Sequence, residues 1–71
     1  MNQPFDASSF SHNLRIMREV RQLTQRELGL KAGLAESWIS NFENGVRHPS
    51  LRNFVKLCVA LDCSPDDLLM P

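Results

Sequence analysis

Apolar residues recur at helical spacing along most of this chain and nowhere alternate for long enough to make a strand. From Ser8 to Arg21, Phe10, Leu14 and Met17 share one stripe, with Ser8, Ser9 and Ser11 as candidate N-caps, while Ile16 and Val20 form a second apolar pair on the opposite side. Thr24-Gln25-Arg26-Glu27 is a T-x-x-E capping box, so a second helix starts near Gln25, turns Leu28 and Ala32 inward and stops at Gly33. Leu34 turns the chain, helical spacing returns from Glu36 to Glu43, and Asn44-Gly45 ends this third helix. His48-Pro49-Ser50 is a turn whose serine can cap a fourth helix, on which Leu51, Phe54, Cys58 and Leu61 form a stripe. Ser64-Pro65-Asp66-Asp67 opens a short fifth helix ending near Met70: serine caps, proline suits the first position, and the acids suit the dipole. Residues 1–7, polar, with Pro4 and without periodicity, read as a flexible N-terminal arm, and residues 8–71 as one compact, all-α, five-helix domain.

Composition narrows the class. Seventy-one residues hold one domain at most, and 42% apolar with 23% charged residues is enough core to fold unaided. No apolar run reaches the roughly 18 residues needed to cross a bilayer, and Met1–Ser11 lacks the basic start and apolar centre of a secretory leader. The expected location is the cytoplasm, with no membrane partner. Cys58 and Cys63 match no disulfide framework and read as reduced, mostly buried thiols. His12 and His48 have no acid or thiol neighbours at ligand spacing, so neither a metal nor another cofactor is expected.

Zero net charge argues against a polyanionic partner until its distribution is considered. All eight Lys and Arg lie between Arg15 and Lys56 with only four Glu, a net of +4 balanced by Asp6, Asp62, Asp66 and Asp67 outside that segment. Such asymmetry suits a molecule that offers one basic face to phosphates.

Helix two, the turn at Gly33 and helix three form a unit of roughly twenty residues, the arrangement in which a second helix enters the DNA major groove. On a helical wheel Ala35, Ile39 and Phe42 fall together, and Ser37, Ser40, Asn41 and Asn44 occupy the other side. Ser and Asn are poor helix formers, so that face has little structural justification. Base edges supply one: Asn can donate to and accept from adenine at once, and Ser can pair with several bases.

The same residues carry a family resemblance. Leu14-Arg15 and Arg18, Leu23 to Leu28, Lys31-Ala32-Gly33-Leu34, Ile39 to Gly45, Pro49-Ser50-Leu51 and Ala60-Leu61 stand in the order and spacing of the Cro/cI-type helix-turn-helix domain of phage repressors and bacterial regulators. The resemblance covers about Phe10 to Leu69 and implies a lambda-repressor-like fold that binds double-stranded DNA as a transcriptional regulator. It places Ser37 and Asn41 where the family reads bases, with Glu36 and Ser40 beside them. Gln25 stands where a family glutamine touches a phosphate and braces helix three, and Asn44, Arg47 and His48 match the stretch that holds the DNA backbone. Arg18 and Glu43 match the family's internal ion pair.

Some positions keep two readings. Glu36 is either a first-turn acid favoured by the helix dipole or an acceptor for cytosine N4. Trp38 either reaches a phosphate with its indole N–H or packs on helix two. Ala35 departs from the family, which commonly has Ser or Thr as the cap of this helix, so the start of helix three is expected to be weakly held.

One helix covers only part of a site, and such proteins usually bind as two-fold dimers with reading helices about 34 Å apart. The candidate dimer surface is Pro65, Leu69 and Met70 near the end of the chain, with Val55 and Val59 on helix four. The expected function is therefore a homodimeric regulator, a repressor in the simplest case, at a short palindromic operator. The alternative is a protein-interaction module using Ile16, Val20, Val55 and Val59. An enzyme is not expected, because no nucleophile has a plausible base and no carboxylates are paired.

Overall fold

The computed structural model describes residues 7–71, and the first six residues of the expected arm lie outside it. Five helices follow in order: α1 (Ala7–Val20), α2 (Gln25–Ala32), α3 (Glu36–Glu43), α4 (Leu51–Leu61) and α5 (Pro65–Leu69). Ala7, assigned to the arm, is instead the first residue of α1.

Three of the helices start at a side-chain cap. Thr24 Oγ1 accepts from the Glu27 backbone N–H at 3.0 Å while Glu27 Oε1 accepts from the Thr24 N–H at 2.8 Å, closing the capping box of α2. Ser50 Oγ accepts from the Asn53 N–H at the start of α4, and Ser64 and Asp67 form a second capping box at α5. Among α2 to α5, only α3 lacks this: Ala35 is its N-cap and makes no side-chain bond. At the far end of α2, Gly33 adopts the left-handed conformation (φ 71°), and the Leu34 N–H bonds back to Gly29 O at 2.8 Å. Gly29 is required for a different reason, since a Cβ there would lie 2.6 Å from Leu34 O.

α2 packs on α3 and α4, and α1 packs on α3 and α5. Phe10, Leu14, Leu28, Ile39, Phe42, Leu57, Leu61 and Leu68 meet at the centre, all essentially without solvent exposure. Polar side chains in the first half of α1 also tie it to backbone carbonyls of its neighbours. Buried Ser11 donates its hydroxyl to Phe42 O at 2.7 Å, and Asn13 Nδ2 donates to Leu68 O and Met70 O at the end of α5.

The expected stripe of α4 needs one correction. Leu51, at the first position of the helix, has no layer above it to cover it and is 79% exposed, while Leu57 takes its place in the core. Ala35 is likewise exposed rather than inward, because it precedes the first turn of α3. Among the described residues no helix is long and apolar enough to cross a membrane. Both cysteines are free, Cys58 buried and Cys63 half-buried, and burial pushes the Cys63 thiol up to about 11.

Candidate nucleic-acid interface

The centre of the site is a buried carboxylate. Glu43, in the last turn of α3, has no side-chain exposure, and a lone charge there would be costly. Arg18 of α1 answers it bidentately: Nε donates to Oε2 at 2.6 Å and a terminal nitrogen to Oε1 at 3.0 Å. Arg18 also donates to Leu23 O at 2.7 Å, which ties the α1–α2 turn into the cluster. Gln25 Nε2 donates to Glu43 Oε1 at 3.1 Å, so the first residue of α2 is braced on the last turn of α3. Burial raises the Glu43 pKa, but hydrogen bonds from Arg18, Gln25 and Arg15 outweigh it and hold the carboxyl below its ordinary value. Its bond to Glu43 raises the pKa of Arg18, against a smaller opposing effect of burial. The cluster joins three helices at the point where α2 and α3 approach each other.

Ile39 and Phe42 root α3 in the core, which turns the opposite face outward. Glu36 and Ser37 are exposed there, and Ser40 and Asn41 are half-buried. The Ser40 hydroxyl accepts from Asn44 Nδ2 at 3.3 Å. Gly45, at φ 72°, lets the chain fold back after α3, and the Val46 and Arg47 N–H groups both reach Asn41 O, at 2.9 and 3.3 Å. That return holds Arg47 beside the helix it follows. Its guanidinium lies 5.0 Å from the centroid of the Trp38 ring, a cation–π contact. The Trp38 ring packs on Phe42 of its own helix, with centroids 5.8 Å apart, and under Arg47. His48 is exposed at the end of the same return.

The first turn of α2 presents backbone N–H groups beyond the one that Thr24 satisfies, next to Gln25. Helix N-termini of this kind favour anions. One short face thus has hydrogen-bonding side chains of small size along α3, flanked by an N-terminus on one side and by Asn44, Arg47 and His48 on the other. Those are the means to meet base edges and phosphates together.

The candidate dimer residues divide between two grooves. Val55, Val59 and Pro65 border one with Phe54 and the cysteines, while Leu69 borders another with Leu51 and Pro49. Met70 is half exposed. Along α4, Leu51, Val55 and Val59 make an exposed i, i+4, i+8 stripe that borders both grooves. Sequence reasoning missed Arg15, whose Nε lies 3.4 Å from Glu43 Oε1 and whose terminal nitrogen donates to Asn44 Oδ1 at 3.3 Å. The available signal was its position one turn before Arg18.

Residues 14–68 match the helix-turn-helix family HTH_3. The chain is 36% identical over 58 residues to the HTH-type transcriptional regulator y4dL of Sinorhizobium fredii, covering 82% of this chain but 30% of that protein. It is 34% identical over 68 residues to the control protein C.BamHI of Bacillus amyloliquefaciens, covering 83% of this chain and 84% of the relative. Among solved structures, the restriction-modification controller C.AhdI of Aeromonas hydrophila superposes with a TM-score of 0.86 at 38% identity, over 90% of this chain and 97% of that one. The P22 c2 repressor, solved in complex with a synthetic operator, superposes with a TM-score of 0.80 at 33% identity, over 84% of this chain and 91% of that one. The chain belongs to the HTH_3 helix-turn-helix family and has the DNA-binding fold of the Cro/cI-type transcription regulators.

Proposed function

We propose that this protein is a cytoplasmic, homodimeric transcriptional repressor that places α3 in the major groove of a short palindromic operator. The observation that carries the reading is the α3 face itself, where Ser37, Ser40 and Asn41 stand on a helix rooted by Ile39 and Phe42. In this reading Ser37, Ser40 and Asn41 meet base edges, and Glu36 accepts from a cytosine amino group. Gln25, Asn44, Arg47 and His48 hold the backbone, and Trp38 serves them by keeping Arg47 in place. The operator complex of the P22 c2 repressor supports this use of the fold.

The dimer forms through the outward side of α4 and the end of the chain, where the Leu51, Val55 and Val59 stripe adjoins Pro65, Leu69 and Met70. A two-fold pair sets two reading helices about one DNA turn apart, which is why the operator is palindromic. Repression follows from occupancy alone, since a bound dimer excludes polymerase from an overlapping promoter.

Selection of bound sequences from random duplexes, followed by salt titration of the winner and of its scrambled version, tests the reading. A specific regulator binds the selected site roughly 10³-fold or more tighter than the scrambled one. Equal affinity at every salt concentration overturns it. The same apolar stripe favours a second reading, an interaction module without DNA. In that case Val59→Asp abolishes function while the pair Asn41→Ala and Arg47→Ala leaves it intact.

A further inference from the structure

The end of α4 brings Cys58 and Cys63 together. Asp62 adopts the left-handed conformation (φ 51°), its N–H bonds to Val59 O at 3.1 Å, and the Cys63 N–H bonds back to Cys58 O at 3.1 Å. These two bonds make a Schellman turn, which sets the side chain after the left-handed residue against the one that opens the last helical turn. Here those side chains are the thiols of Cys63 and Cys58, both free. Both line the groove that Val55, Val59 and Pro65 border. Cys63 is half-buried and Cys58 is 8% exposed, so an entering ligand meets Cys63 first.

The state of the thiols selects the ligand. Burial raises the pKa of both, that of Cys63 to about 11, and the negative charge of Asp67 adds to the effect. Both are therefore protonated at neutral pH. A divalent metal ion has to displace such protons before thiolates can bind it, and among the described residues no cluster of three His, Cys, Asp or Glu could complete its shell. Trivalent arsenic has neither requirement. Arsenous acid, As(OH)3, condenses with neutral thiols: two S–H and two As–O bonds break, two As–S bonds form, and each thiol proton leaves with an arsenic hydroxyl as water. Arsenic stays trivalent and keeps its third hydroxyl, so no oxidant or reductant takes part.

We propose that the Cys58–Cys63 dithiol is a chelating site for trivalent arsenic, and that filling it opposes the pairing of two copies across the same groove. The second half rests on the reading above, in which Val55, Val59 and Pro65 belong to the dimer face. A ligand that enters the open groove of one copy and not the closed groove of a pair draws the population toward single copies by mass action. The site thus gives the regulator an effector that acts at a distance from the α3 face.

Sodium arsenite is the probe, titrated into wild type, Cys58→Ala and Cys63→Ala under reducing-agent-free conditions and followed by native mass spectrometry. Melting temperatures control for folding. Should Cys58→Ala fail to fold, Cys63→Ala at the more exposed position carries the comparison. The wild type is expected to take up one arsenic per chain with loss of two water molecules, and each variant, left with one thiol, to bind roughly 10²-fold more weakly or worse. No uptake by the wild type, or equal uptake by a folded single-thiol variant, overturns the chelating site. Sedimentation with and without arsenite tests the second half: the wild type shifts from dimer to monomer and Cys63→Ala does not. Uptake with unchanged sedimentation of a dimer overturns the effect on pairing and leaves the site. A wild type that is already monomeric overturns the dimer reading itself, and the mass spectra alone then decide whether the site exists.

Discussion

At the scale of single residues, Glu43 does the most to hold the interface in shape. Removing one partner of a buried, hydrogen-bonded pair leaves the other charge without compensation. Arg18→Ala is therefore expected to cost about 3–5 kcal/mol in urea unfolding, far more than an exposed ion pair is worth. The pair also sets an acid limit. Because the folded-state pKa of Glu43 lies below its ordinary value of 4.5, its stabilisation is fully present above that value and is lost as pH falls through the folded-state pKa. Wild-type stability should drop in that window, and Glu43→Gln, less stable at pH 7, should show a flatter profile there. Trp38 offers a second check, since it is the only tryptophan in the chain. Arg47→Ala uncovers one side of its ring and should move its emission to longer wavelength in the free protein. Of these contacts the ion pair was legible through resemblance alone, and the Trp38–Arg47 stack was not legible. The stack depends on the backbone reversal at Gly45, which spacing along a helix does not encode.

At the scale of elements, the capping residues carried most of the information. Thr24, Ser50 and Ser64 each stand one residue before an observed helix, because a side-chain oxygen that satisfies a backbone N–H marks a start chemically. Periodicity was weaker at the ends of helices. It put Leu51 inside and overlooked Leu57, since a wheel cannot tell whether a first-turn residue has anything above it. α3 begins without a cap at Ala35, and Ala35→Ser should stabilise the protein by about 0.5–2 kcal/mol. An unchanged denaturation midpoint would mean that the first turn of α3 is held by other means.

At the scale of the whole molecule, the proposed reading helix and the apolar stripe on α4 divide the surface by task. Net neutrality conceals the +4 carried between Arg15 and Lys56, which only the order of charges along the chain reveals. If the stripe joins two copies, Val59→Asp yields a folded monomer by analytical ultracentrifugation, with weakened binding to the full palindrome and unchanged binding to a half-site. A monomeric wild type would place the stripe against some other partner.

The central claim is that α3 reads bases, and it is tested most directly by Asn41→Ala across all single-base variants of the selected operator. The account predicts a loss of about 1–3 kcal/mol on the selected site, with discrimination relaxed at one base pair of each half-site and kept at the others. A variant that binds every sequence with the wild-type pattern of preference would contradict it.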